Sequence, residues 1–126
     1  LFMIRTMLVC AAFAALAACS TSKPPLAISQ APIAASHSTS EVESAILSAL
    51  AGRGWQVADK TPGKIVATID VRGRHSAKIA VLYSATSFSI DYVDSTGLEY
   101  DAEKKTIHRN YNRWVANLRN DINMKL

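Results

Sequence analysis

The strongest constraint on the fold is a two-residue alternation of apolar and polar side chains in the middle of the chain. It runs through 65–71, 77–83 and 88–92, and side chains with this period lie on one face of a β-strand. Gly73-Arg74-His75 suits a three-residue hairpin loop between the first two runs. With a further short strand at 55–58, the pattern predicts a four-stranded antiparallel sheet.

The register of the central hairpin follows from keeping the apolar side chains on one face. Pairing Val71 with Ala77 meets this requirement. The same register places Val66 opposite Leu82 on the other face. If Val93 lies beside them, these side chains form an apolar patch that is able to dock another protein.

Helical spacing flanks the strands on both sides. Ser40 and Glu43 have the spacing of a capping box, which predicts a helix over 41–51 that ends before Gly52. A second helix is indicated by apolar residues three and four positions apart, namely Ile107, Tyr111, Trp114, Val115, Leu118 and Ile122. The order α-β-β-β-β-α predicts an α+β two-layer sandwich, with both helices on one face of the sheet.

Charge and composition exclude one class of partner. The chain of 126 residues has 14 Lys and Arg against 10 Asp and Glu, a formal net charge of +4. This balance is only mildly basic, and aromatic side chains are not interleaved with the cations as base stacking requires. We therefore expect no nucleic-acid partner.

The start of the chain carries an export pattern. Arg5 precedes an uncharged apolar run at 7–15, and small residues follow it. This order is typical of a secretory signal, and the run is too short to span a bilayer.

Leu16-Ala17-Ala18-Cys19 closes this run and resembles the lipobox of bacterial lipoproteins. The resemblance implies that the signal peptidase recognises Leu16, Ala17 and Ala18, and that residues 1–18 are removed. It also implies that Cys19 carries a diacylglyceryl group and a further acyl chain such as palmitate, enough for stable anchoring. Ser20, where aspartate would favour inner-membrane retention, favours the outer membrane. An ordinary secretory signal with a chance cysteine is the alternative.

The remainder divides by composition at about residue 40. Residues 19–39 are rich in Ser, Ala and Pro without a regular period, which predicts a lipidated N-terminus and a flexible tether. Residues 40–126 then form a periplasmic domain. Its last helix resembles that of small envelope lipoproteins of Gram-negative bacteria. The residues that carry the resemblance are Ile107-His108 and Tyr111-Asn112-x-Trp114-Val115-x-Asn117-Leu118. That resemblance implies a periplasmic domain and supplies no catalytic residue.

Motifs of catalysis or metal binding are missing from the sequence. His37, His75 and His108 stand apart from one another and from the cysteines, so we expect no metal and no cofactor. The sequence has no nucleophile-elbow motif. A small hydrolase would have to use Asp91, Asp94 or His108, and we expect no enzyme.

Two groups of polar residues are candidates for binding. Arg109 and Arg113 belong to a basic strip, completed by Lys104, Lys105 and Arg119. The strip is either a solvated helix face or a contact for lipopolysaccharide phosphate, lipid headgroups or peptidoglycan. His108 and Asn112 are expected to pin the last helix to the loop 98–100, or to meet a ligand.

These observations leave two hypotheses for function. The first is a non-enzymatic, lipid-anchored protein of the outer membrane that faces the periplasm and binds an envelope protein as an adaptor, through the sheet face or an exposed strand edge. The alternative is a binding module for an anionic envelope component.

Overall fold

An N-terminal strand that the sequence pattern does not reveal completes the sheet. The computed structural model describes residues 22–126 and contains two helices, a five-stranded antiparallel sheet and a separate two-stranded sheet within that range. The elements are β1 (Ser22–Lys23), β2 (Ile28–Pro32), α1 (Thr39–Gly52), β3 (Gln56–Thr61), β4 (Lys64–Val71), β5 (His75–Tyr83), β6 (Ser87–Thr96), β7 (Ile107–His108) and α2 (Arg109–Met124). The predicted α+β class is confirmed, and the predicted strand number is corrected from four to five.

The fifth strand is β2, and it lies where a flexible tether was predicted. The strand order is β2-β6-β5-β4-β3, and Ile28 pairs with Ile90 while Ala31 pairs with Phe88. A bulge between Ile28 and Ala31 interrupts the pairing, and Gln30 has a φ of +48°. The bulge removes the two-residue alternation from which a strand is predicted. The predicted domain start at residue 40 is therefore too late.

The central hairpin forms, but its register differs from the prediction by two residues. Val71 pairs with His75 and Val66 with Ala80. The loop consists of Arg72, Gly73 and Arg74, with φ of +59° at Arg72 and +67° at Gly73. Because the shift is two residues, every side chain keeps the face that the sequence predicts for it.

The first helix begins two residues earlier than predicted. Ser38 is the N-cap, and its hydroxyl oxygen accepts the Glu41 N–H at 3.1 Å while the Glu41 carboxylate accepts the Ser38 N–H at 2.7 Å. Glu43, the predicted capping-box partner of Ser40, instead accepts from the Lys60 Nζ at 2.6 Å. This ion pair lowers the pKa of Glu43 and joins α1 to the edge strand β3.

One hydrophobic core lies between the sheet and both helices. The inner face, defined as the sheet face on the helix side, supplies Ile65, Ala67, Ile79, Val81, Phe88 and Ile90. The helices supply Val42, Ile46 and Leu50 from α1, and Tyr111, Val115, Leu118 and Ile122 from α2. The Arg53 guanidinium donates to the Asp121 carboxylate at 2.6 Å, which joins the end of α1 to α2.

Candidate functional site

The residues predicted to bind a partner lie on two separate surfaces. Val66, Leu82 and Val93 belong to strands of the sheet, whereas Arg109 and Arg113 belong to α2. Since α2 packs against the inner face, the fold does not bring the two groups into one site.

The expected apolar patch is interrupted on the outer face, the side of the sheet turned away from the helices. Val66 lies opposite Ala80, and Leu82 lies opposite Lys64 rather than opposite Val66. Leu82 and Val93 are 41% and 48% exposed, but Ala80 is only 8% exposed. The pairing of Val66 with Leu82 is therefore wrong, and a charged residue takes the place that Val66 was expected to hold.

Polar side chains dominate the rest of the outer face. Gln56, Thr68, Lys78 and Asp94 form one row across four strands. A shallow cleft of about 140 Å³ lies beside this row, lined by Thr68, Ser76, Lys78, Asp94, Ser95 and Thr96. The sequence alternation indicates that these positions face solvent, but the rows depend on a register that it does not determine.

The three residues of the hydrolase hypothesis do not form hydrogen bonds with one another. Asp91 and Asp94 are exposed residues of β6, and the Asp94 carboxylate accepts the Ser95 N–H at 2.8 Å. His108 caps α2, and its Nδ1 accepts the Asn110 N–H at 3.1 Å. Within residues 22–126, no group of three or more His, Cys, Asp or Glu side chains is placed to hold a metal ion.

His108 contacts the preceding loop through its backbone. Its N–H donates to the Leu98 carbonyl at 2.8 Å, while its ring serves the first turn of α2. The expected attachment of the helix to the loop 98–100 is present, but the His108 ring does not make it.

Asn112 holds the N-terminal segment instead of that loop. Its Oδ1 accepts the Leu26 N–H at 2.6 Å, and its Nδ2 donates to the Pro24 carbonyl at 2.9 Å. One side-chain amide thus satisfies a donor and an acceptor of an irregular backbone segment. This role was missed because the partners lie 86 and 88 residues away in the sequence.

Three tyrosines connect β6, the following loop and α2. The rings of Tyr92 and Tyr100 stack with centroids 4.5 Å apart, and Tyr92 meets Tyr111 edge to face at 5.5 Å. Tyr111 is fully buried, and its hydroxyl has no hydrogen-bond partner among residues 22–126. Burial raises the pKa of Tyr111 well above its usual range.

The basic strip on α2 is accessible. Arg109 and Arg113 are exposed and lie one helical turn apart, and neither forms an ion pair within the described part of the chain. Lys104 and Lys105 are also exposed, in the loop before β7. Arg119 is only half-buried and contacts the Asn120 side chain at 3.3 Å.

A groove between the helices is a feature that the sequence did not indicate. It has a volume of about 320 Å³ and is lined by Ser48, Ala49 and Gly52 of α1 and by Asp121, Met124 and Lys125 near the end of α2. Met124 is 84% exposed.

In residues 22–126, no helix combines the length and the apolar character needed to cross a bilayer.

Comparisons with protein-family models, with curated proteins and with solved structures find no match. Function is therefore inferred from the residues of this chain alone.

Proposed function

We propose that this chain is a non-enzymatic, lipid-anchored protein of the Gram-negative outer membrane whose domain binds an envelope protein as a periplasmic adaptor. Leu16-Ala17-Ala18-Cys19, after a short apolar run, supports the anchoring; these residues lie outside the described part of the chain.

The observation that carries the adaptor proposal is the open edge of the sheet at β3. This strand is the last in the sheet order, and all six residues from Gln56 to Thr61 are exposed. Its backbone pairs with β4 on one side, and no strand of residues 22–126 pairs with the other side. Free N–H and C=O groups of an edge strand pair readily with an extended segment of another protein.

The two edges of the sheet differ in this respect. Both edge strands carry a bulge, between Ile28 and Ala31 in β2 and between Val57 and Asp59 in β3, but β2 ends at Pro32, which has no N–H to donate. On β3, Lys60 is fixed to Glu43 of α1, so the strand is held in place before a partner arrives. Val57, 45% exposed, adds an apolar contact beside the free backbone.

Site-resolved crosslinking tests this proposal. A photoreactive amino acid is placed at Val57 or Asp59 in the lipidated protein in cells, with Ser29 of β2 as the matched position on the other edge. We expect one discrete protein adduct from both β3 positions and none from Ser29. Equal adducts from both edges, or none from β3, would contradict the adaptor role. A Cys19→Ala variant and the mass of the Cys19 peptide test the anchor separately.

A second candidate function is the binding of an anionic envelope component such as lipopolysaccharide, lipid headgroups or peptidoglycan. The exposure of Arg109 and Arg113, without acidic partners among residues 22–126, favours it. Reversing both charges to glutamate tests the second candidate, which predicts a loss of salt-sensitive binding to the anionic component, whereas the first candidate predicts that the β3 adduct persists.

A further inference from the structure

The N-terminal segment is fixed to the fold almost as soon as it leaves the proposed anchor. Ser22 pairs with His108 and Lys23 with Ile107. The Asn112 amide then holds the backbone of Pro24 and Leu26, and Ile28 belongs to the core. From residue 22 onward, no free tether separates the domain from the start of the chain.

Only three residue steps lie between Cys19 and Ser22, and whatever their conformation they span at most about 10 Å. A compact domain of roughly 100 residues has a radius of gyration of about 13 Å. The connection is shorter than this radius. A membrane that holds Cys19 therefore meets the part of the domain around β1 and β7.

That part of the domain also carries a concentration of exposed basic side chains. The β4–β5 loop lies against the end of β6, where His75 Nδ1 is 2.9 Å from the Gly97 carbonyl and a Cβ on Gly97 would clash with the Arg74 carbonyl. The next residue, Leu98, accepts the His108 N–H. These contacts bring together the cationic end, which consists of Lys23, Arg72, Arg74, Lys104, Lys105 and Arg109, all exposed.

Acidic groups at the same end are fewer, and two of their carboxylates already accept hydrogen bonds from backbone N–H groups. They are Asp70, Glu99, Asp101 and Glu103. Asp70 accepts the Gly73 N–H at 3.1 Å, and Asp101 accepts the N–H groups of Glu103 and Lys104 at 2.9 and 3.0 Å. Positive charge remains in excess at the cationic end.

We infer that the cationic end lies on the phosphate-bearing surface of the leaflet that holds the lipid anchor. This inference rests on the proposed lipidation of Cys19. The short connection keeps the basic side chains near the screening length of about 8 Å from the headgroups, where each cation is attracted to an anionic surface. The nine residues of β5 place the β5–β6 turn, with Thr86, about 30 Å from the β4–β5 loop, away from the membrane.

Short-range quenching tests the orientation. The lipidated protein is reconstituted in phosphatidylethanolamine vesicles with or without phosphatidylglycerol and with a spin-labelled headgroup lipid. A fluorophore is attached to Glu103→Cys at the cationic end or to Thr86→Cys at the far end. The new cysteine is the only free thiol once residues 1–18 are removed and Cys19 is acylated. We expect quenching at position 103 and none at position 86; equal quenching would overturn the inference.

Charge variants separate attraction from simple proximity. Twenty Gly and Ser residues inserted after Ser20 lengthen the connection, so that it no longer holds the domain at the membrane. Position 103 should then stay quenched only in vesicles with phosphatidylglycerol, whose anionic headgroups attract the cationic end. In this background, Lys104→Glu with Arg109→Glu should lower the equilibrium constant for membrane contact, obtained from the quenching at position 103, at least about tenfold. Lys64→Glu with Lys125→Glu, both exposed and outside the cationic end, is the matched control. An equal loss of membrane contact in the two double variants would overturn the role of the cationic end.

The two proposals fail in distinguishable ways. An unacylated Cys19 peptide would refute the anchor, and the inferred orientation with it. An acylated peptide with equal quenching at positions 86 and 103 would refute the orientation alone.

Discussion

The meander of β4, β5 and β6 and the N-terminal segment 22–33 belong to one fold but are held in different ways. In the meander, long ladders repeat the same pairing, and the inner face contributes a row of fully buried side chains. The N-terminal segment depends on individual contacts, chiefly Ile28 in the core and the Asn112 amide on Pro24 and Leu26. We therefore expect the meander to unfold with the whole domain, and the segment to be able to open locally.

Core truncation should give the largest contrast between the two regions. Ile79→Ala, at a fully buried position of β5, should lower the free energy of unfolding by about 4 kcal/mol, while Ile28→Ala should lower it by about 2 kcal/mol, because an edge strand relaxes more easily around the lost volume. Urea denaturation measures both values. A larger loss for Ile28→Ala would contradict the proposed difference.

Within the meander, Gly97 lies against the β4–β5 loop at the end of β6. Gly97→Ala should cost about 3 kcal/mol, because the residue has a φ of +75° and a Cβ would clash with the Arg74 carbonyl. Gly73→Ala is the matched control, since Gly73 has a φ of +67° but open space around it. It should cost about 1 kcal/mol. Equal losses by thermal denaturation would mean that the close approach at Gly97 is unimportant.

Asn112→Ala tests the N-terminal segment with little effect on the meander. Losing both hydrogen bonds should cost about 1 to 2 kcal/mol and increase amide hydrogen exchange in residues 22–33. Asn120→Ala, which removes only a contact with Arg119, should leave exchange unchanged. Faster exchange throughout β5 would show that the segment does not open independently.

Tyr111→Phe should have the smallest effect and the opposite sign. Its hydroxyl is buried without a partner in the described part of the chain, so removing it should leave the free energy of unfolding unchanged or raise it by up to about 1 kcal/mol. The packing of the ring on Tyr92 is retained. A clear loss of stability would mean that the hydroxyl has a partner, such as a buried water.

The strands of the meander could be predicted from the sequence, because apolar and polar residues alternate regularly along them. The alternation in 65–71 and 77–83 predicts two strands and their faces, but not the register, because the positive φ of Arg72 is not evident from residue type. In β2, the bulge removes the alternation, and only Ile28 is deeply buried there. A single strand with one core residue resembles a linker in the sequence.

The candidate site shows the same division. The exposure of Arg109 and Arg113 could be predicted from helical spacing. The grouping of Arg109 with Arg72, Arg74 and Lys23 could not, because it depends on the close approach at Gly97 and on the pairing of β1 with β7.

The pairing of β2 with β6 also has a consequence for the order in which the chain folds. Ile28 finds its partner 62 residues later at Ile90, and the contact between Leu26 and Asn112 spans 86 residues. During synthesis, the first strand of the sheet must wait unpaired until β6, which ends at Thr96, has emerged. Such high contact order predicts slow, late closure of the domain, with β2 as the last strand to be added.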